Sequence, residues 1–270
     1  MKGGLLILLA TLSTVLLQPL HAADNRLVLT GSSTVAPLAL EIGKRFEQQN
    51  PGTRIDVQTG GSSRGINDVR TGLANIGMVS RALKVSETDL TAHTIALDGI
   101  GIILHRSNPI EALSDGQIKA IYTGQIRNWH EVGGQDRPIT VVNKAEGRST
   151  LELFLQYFTL KSSQIKARVV IGDNQQGIKT VSGNFGAIGY VSIGTAEFEE
   201  QQGGAIKRLP MAGVEASIDQ VRSGRFPLVR PLNLVVKGRA SKLSQRFIDF
   251  AHSPEVHDIV EAQFFVPMEP

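Results

Sequence analysis

Three short segments of this 270-residue chain set glycine beside hydroxyl residues where a strand gives way to a helix. They are Gly31-Ser32-Ser33-Thr34, Gly60-Gly61-Ser62-Ser63-Arg64-Gly65 and Gly147-Arg148-Ser149-Thr150. A helix N-terminus exposes unpaired N–H groups and carries about half a positive charge. Ser and Thr there either cap the helix or donate to a bound anion, and glycine lets the backbone approach closely. One such turn alone reads as plain capping. Three, with Arg64, Arg81, Lys144 and Arg148 close by in sequence, read as a site for a small anion with several acceptor oxygens.

The second turn also fits a rival chemistry. Gly61-Ser62-Ser63-Arg64-Gly65 matches the G-x-S-x-G elbow of serine hydrolases, with Ser63 as nucleophile and His130, His252 or His257 as base. Chain order opposes it, because a hydrolase builds several strands before its elbow and one clear strand precedes residue 54 here. The oxyanion-hole motif is missing as well. The sequence holds no Walker A string and no H-E-x-x-H, and its six His have no metal-ligand spacing. It has no Cys, hence no disulfide and no thiolate site. We therefore expect no enzyme, no catalytic residue, no metal and no cofactor. A formal charge of +3 and 5% aromatics argue against nucleic-acid binding.

The elements around these turns alternate between strand and helix, the pattern of parallel α/β architecture. Strands are expected over 26–30, 54–58, 76–79, 99–104, 139–142, 187–191 and 232–236. Val35, Leu38, Ala39, Ile42 and Phe46 recur at helical spacing, as do Leu151, Phe154, Leu155 and Phe158. Further helices are expected from Ile66, over 114–122 and 241–251, and near 254–262. At the N-terminus, Lys2 precedes an apolar run over 5–17, followed by Pro19 and Leu20-His21-Ala22-Ala23. That is the layout of a secretory signal peptide, with cleavage expected after Ala22. The run falls short of the roughly 20 residues of a membrane span. The mature chain is expected to be secreted and periplasmic.

Longer strings carry a family resemblance. Thr30-Gly31-Ser32-Ser33-Thr34-Val35-Ala36-Pro37 is one, and Gly61-Ser62-Ser63 with Asn75-Ile76-Gly77-Met78-Val79-Ser80-Arg81 is another. The most specific is Ile121-Tyr122-Thr123-Gly124-Gln125-Ile126-Arg127-Asn128-Trp129 with Glu131-Val132-Gly133-Gly134; Gly186-Ala187-Ile188-Gly189-Tyr190-Val191 completes the set. With these strings the chain resembles the phosphate-binding proteins of phosphate ABC importers. Pro227-Leu228-Val229-Arg230-Pro231-Leu232 fits that family's return segment.

The resemblance implies an α/β, two-lobed periplasmic binding protein of type II. Each lobe is a mostly parallel sheet flanked by helices, and the ligand lies in the cleft. Lobe 1 is expected over 23–103 and 229–270, and lobe 2 over 104–228. The implied ligand is inorganic phosphate, with sulfate or another tetrahedral oxyanion as the alternative. The implied partners are ABC permease subunits, and the protein itself is expected to be a monomer. Ser33, Thr34 and Ser62 are implied donors, with Ser63 beside them and Ser80 at the site. Lys144 stands where the family often has Arg, and Arg148, Ser149 and Thr150 stand where it usually has Ser-Gly-Thr. Arg81 occupies the place of an Asp that, in some members, accepts the phosphate proton. Asp98 is the candidate replacement for that acceptor.

Overall fold

The computed structural model describes residues 25–268; the signal segment expected over 1–22 lies outside them. The chain opens with β1 (Arg26–Gly31), α1 (Val35–Gln49), β2 (Arg54–Thr59), α2 (Ser62–Thr71) and β3 (Ile76–Val79). The long β4 (Leu90–His105) follows, then α3 (Asp115–Tyr122), β5 (Thr140–Lys144), α4 (Ser149–Tyr157), β6 (Val169–Ile171) and α5 (Asn174–Ser182). Next come β7 (Ala187–Ser192), α6 (Ile193–Gln201), β8 (Ile206–Leu209) and α7 (Ile218–Arg222). The last elements are β9 (Val229–Lys237), α8 (Lys242–Ala251), α9 (His257–Ala262) and β10 (Val266–Pro267).

Two strand systems share one strand. In the first, β2, β1 and β3 run parallel, and β9 lies antiparallel between β3 and β4. In the second, β6, β5 and β7 are parallel, and β4 pairs antiparallel with β7 and β8. β4 thus serves both: Leu90–Gly99 pair with β9, and Ile100–His105 turn to β7 and β8. The change of partner falls between Gly99 and Ile100. Each lobe has its own apolar core. Leu29, Leu38, Ile42, Phe46, Ile76 and Phe247 anchor lobe 1, and Tyr122, Trp129, Phe154 and Tyr190 anchor lobe 2. α1 contributes because Val35, Leu38, Ala39, Ile42 and Phe46 all fall on one buried stripe.

Two differences from the sequence expectation matter for the site. β4 begins at Leu90, where pairing with β9 starts; the sequence pattern missed this half because Thr91, His93 and Thr94 interrupt any apolar run there. The segment from β6 to α5 also escaped the pattern. β6 is three residues long, and α5 is announced only by its cap, Asp173, whose carboxylate accepts from the Gln176 N–H.

β1, β2 and β3 are parallel, so the turns that follow them lie at one edge of lobe 1, and the α4 turn after β5 meets them from lobe 2 with the Gly147 carbonyl oxygen on the Ser63 N–H at 3.3 Å. Close packing fixes the lobe 1 turns there. Gly31 has φ of 131°, and a Cβ on it would stand 2.3 Å from the Met78 carbonyl oxygen. A Cβ on Gly65 of α2 would stand 2.6 Å from the Thr30 carbonyl oxygen. Only glycine lets α2 sit this close to the ends of β1 and β3.

Candidate functional site

The turns converge on a side chain that comes from none of them. Arg230, on β9, is fully buried. It stands directly opposite Asp98 of β4 in the antiparallel register. Its Nε and one terminal nitrogen reach Asp98 Oδ2 at 3.0 and 2.8 Å. That terminal nitrogen also donates to Thr34 Oγ1 at 3.1 Å. The other terminal nitrogen donates to Thr150 Oγ1 at 2.9 Å and, more weakly, to Ser80 Oγ at 3.4 Å. One guanidinium therefore ties the α1 turn, the end of β3 and the α4 turn together across both lobes.

The bonding directions follow from what each group can do. A guanidinium donates only, so Thr34, Thr150 and Ser80 accept from it. Thr34 Oγ1 also accepts from Asn174 Nδ2 at 3.1 Å. Both its lone pairs are then engaged and its own proton is left to donate. Ser32 Oγ accepts from the Thr34 and Val35 N–H groups at 3.2 and 3.3 Å and donates to Ser80 Oγ at 2.9 Å. Ser80 is saturated as an acceptor in the same way. Ser62 Oγ accepts from the Ser80 N–H at 3.2 Å, which again leaves its proton to give. The buried Ser149 hydroxyl, at the start of α4, has no hydrogen-bond partner among the described residues. The array is arranged to offer protons, which suits a ligand made of acceptor oxygens.

Lys144 adds charge from lobe 2. It is 3% exposed, and its Nζ donates to Asn174 Oδ1 at 3.0 Å. Burial, with Arg230 and Arg148 nearby, lowers its ammonium from the usual range to about 7, against a weaker pull from Asp173. Tyr190 steadies its backbone, accepting from the Lys144 N–H at 3.3 Å while donating to Asn143 Oδ1 at 2.6 Å. Arg148 lies half-buried at the rim, its stem against Gly61 of lobe 1 and its guanidinium against Gly172.

The other expected residues divide. Ser33 is half-buried and faces a pocket of about 220 Å³ with Thr59, Asp173, Asn174 and Thr195. Ser63 is exposed, and its hydroxyl lies 3.5 Å from Glu152 Oε1. His130 faces Asp136, and His252 lies by His93, so none of these contacts gives Ser63 a base. Arg81 is buried but turned away from the hydroxyl array. Its terminal nitrogens hold Glu87 at 2.8 Å each. Burial opposes its charge, and Glu87 and Glu152 outweigh that, raising it above its ordinary range. Asp98 does not stand free for a ligand proton. Oδ2 carries two bonds from Arg230 and Oδ1 accepts the Gly194 N–H at 3.2 Å. It holds Arg230 in place instead.

Sequence reasoning missed Arg230, Asn174 and Ser32. Arg230 lay in a quoted string, yet only the β4–β9 register reveals it opposite Asp98. Asn174 follows a capping Asp, an ordinary helix start.

The chain matches the family model described as a PBP superfamily domain over residues 19–255. It belongs to the PBP superfamily. Among solved members, a phosphate ABC transporter substrate-binding protein from Clostridium perfringens, with phosphate bound, is 34% identical. It superposes with a TM-score of 0.83 over 91% of this chain and 100% of that one. An ABC-type phosphate transport receptor from Vibrio cholerae is 28% identical, with a TM-score of 0.74 over 90% of this chain and 100% of that one. The phosphate-binding protein PstS of Bacillus subtilis is 28% identical over 251 residues, 91% of this chain and 82% of its own length. These PBP relatives share the two-lobed α/β frame. Among the described residues no helix is long and apolar enough to cross a membrane.

Proposed function

We propose that this chain captures inorganic phosphate between its lobes and delivers it to the permease subunits of an ABC importer. It does so as a secreted, periplasmic monomer after loss of segment 1–22, and it catalyses no reaction. One observation carries the reading. Thr34, Ser62, Ser80 and Thr150 are left with protons to donate, around the buried cations Arg230 and Lys144. In this reading those hydroxyls and Lys144, with Ser33, Arg148 and Ser149, hold the anion, while Arg230 and Asn174 orient them. Arg81, Ser63 and Asp98 act around it rather than on it. The phosphate named for the Clostridium perfringens relative supports the same ligand.

A second reading is favoured by Asp98. A carboxylate distinguishes monohydrogen phosphate from sulfate by accepting the phosphate proton, and Asp98 is already committed to Arg230 and Gly194. The site then takes tetrahedral oxyanions more broadly, sulfate among them.

Thermal denaturation of the mature chain, stripped of anion, tests both. Ligand at 100 times its dissociation constant stabilises by about 2.7 kcal/mol. For a chain of this size that raises the Tm by roughly 5–10 °C. Phosphate is expected to do this, and sulfate, arsenate and molybdate then rank the selectivity. No shift with any of the four overturns the proposal.

A further inference from the structure

We propose that Glu152 is a positioning residue that latches the two lobes shut without touching the anion, so that it sets how long any ligand stays. This rests on the lobes closing over a ligand, as proposed above.

Glu152 lies in the first turn of α4, in lobe 2. Among the described residues, both of its charged partners belong to lobe 1. Its Oε2 is 2.9 Å from Lys84 Nζ and 3.2 Å from Arg81 Nε. Its Oε1 is 3.5 Å from Ser63 Oγ. Beside it the Ser63 N–H donates to the Gly147 carbonyl oxygen at 3.3 Å, again from lobe 1 to lobe 2.

The lobe 1 half is built in advance. Glu87 grips both terminal nitrogens of Arg81 and also accepts the Lys84 N–H at 2.7 Å. One Arg81 terminal nitrogen donates to the Ala82 carbonyl oxygen as well. Arg81 Nε takes no part in this grip; it is buried and has no hydrogen bond among the described residues. Glu152 is the carboxylate it faces. Glu87 balances one of the two positive charges on Arg81 and Lys84. Glu152 balances the other only when the lobes meet.

None of these groups bonds to Arg230, Thr34, Ser80 or Thr150. The latch therefore acts on the open–closed equilibrium, and every ligand feels it by the same factor. Glu152→Gln keeps the shape and removes the charge. It should speed release of phosphate and of sulfate alike, by roughly 3–10-fold, leaving their ratio unchanged. Because part of Glu152 meets solvent, added salt should speed wild-type release and barely change that of the variant.

The test uses the mature full-length chain in two arms. The first chases bound radiolabelled phosphate or sulfate with excess unlabelled anion, in wild type, Glu152→Gln, Lys84→Ala and the double variant. The expected result is faster release in each single variant, and a double variant no faster than the faster single. Equal release from wild type and Glu152→Gln, purely additive effects, or different factors for the two anions would each overturn the latch. The second arm exploits the absence of Cys. Spin labels at Leu73→Cys in lobe 1 and Val170→Cys in lobe 2, both well exposed, report the interlobe distance. Glu152→Gln should broaden it toward longer distances at equal anion occupancy, or without anion. A wild type that retains neither anion contradicts the phosphate reading, and the latch then stands or falls on the distance arm.

Discussion

A threonine hydroxyl has one proton and two lone pairs, and the surroundings of Thr34 use up the lone pairs. Thr150 is held by the same guanidinium. Truncating Thr150 to Ala should weaken phosphate binding by about tenfold or more, since a hydrogen bond to a charged group contributes roughly 1.5–3 kcal/mol. Titration calorimetry checks this, and an unchanged affinity would reduce Thr150 to a helix-capping residue. Lys144 gives a pH prediction. Its ammonium titrates near 7 in the unliganded fold, far below the unfolded value. Between these limits the unfolded chain holds more protons, so this group's penalty on stability is full below about pH 7 and fades as pH rises above it. An added anion favours the charged amine. Sulfate binding above pH 7 should therefore take up a proton and weaken as pH rises, and Lys144→Arg should flatten the profile. Calorimetry in buffers of different ionisation enthalpy measures the proton uptake, and a pH-independent wild type would contradict it. Hydroxyls such as Ser62 and Thr150 were legible in sequence because glycine-rich strand-to-helix turns announce themselves locally. Arg230 was not, because its partners lie far away along the chain and only strand pairing joins them.

Among elements, the crossover strands β4 and β9 do most to shape the site. Their register sets Arg230 against Asp98, with both side chains fully buried. Breaking a buried pair by removing one charge costs about 3–5 kcal/mol. Asp98→Asn should therefore lower the unfolding free energy by about that much and weaken phosphate and sulfate together. Denaturant unfolding and paired titrations check it, and a loss confined to phosphate would restore Asp98 as a direct proton acceptor. The α2 turn gives a second prediction. Gly61 has φ of 94°, and a Cβ there would stand 2.7 Å from the Gly147 carbonyl oxygen across the cleft. Gly61→Ala should cost at least tenfold in affinity, and the positive φ also makes it strain the α2 turn and lower stability. Normal affinity with unchanged circular dichroism would remove that contact from closure. Apolar runs made α1, β3 and β9 readable, whereas β6 has three residues and only Ile178 and Val181 of the four buried positions of α5 are apolar, the other two being Asn174 and Gly177.

At the scale of the molecule, two cores are joined through β4, and the donor array draws on side chains from both lobes. Trp129 is remote from that array. It is buried in the lobe 2 core, with its indole nitrogen on the Gly186 carbonyl oxygen at 3.0 Å, at the opposite end of the β5–β7 pair from Lys144. On the proposed reading, one anion is held on the donor array gathered by Arg230. Calorimetric titration of the anion-stripped mature chain with phosphate, beside Arg230→Gln, tests it most directly. One site per chain is expected in the wild type, with a loss of at least a hundredfold in affinity in a variant that still folds. No binding by the wild type, or full affinity in Arg230→Gln, would contradict it.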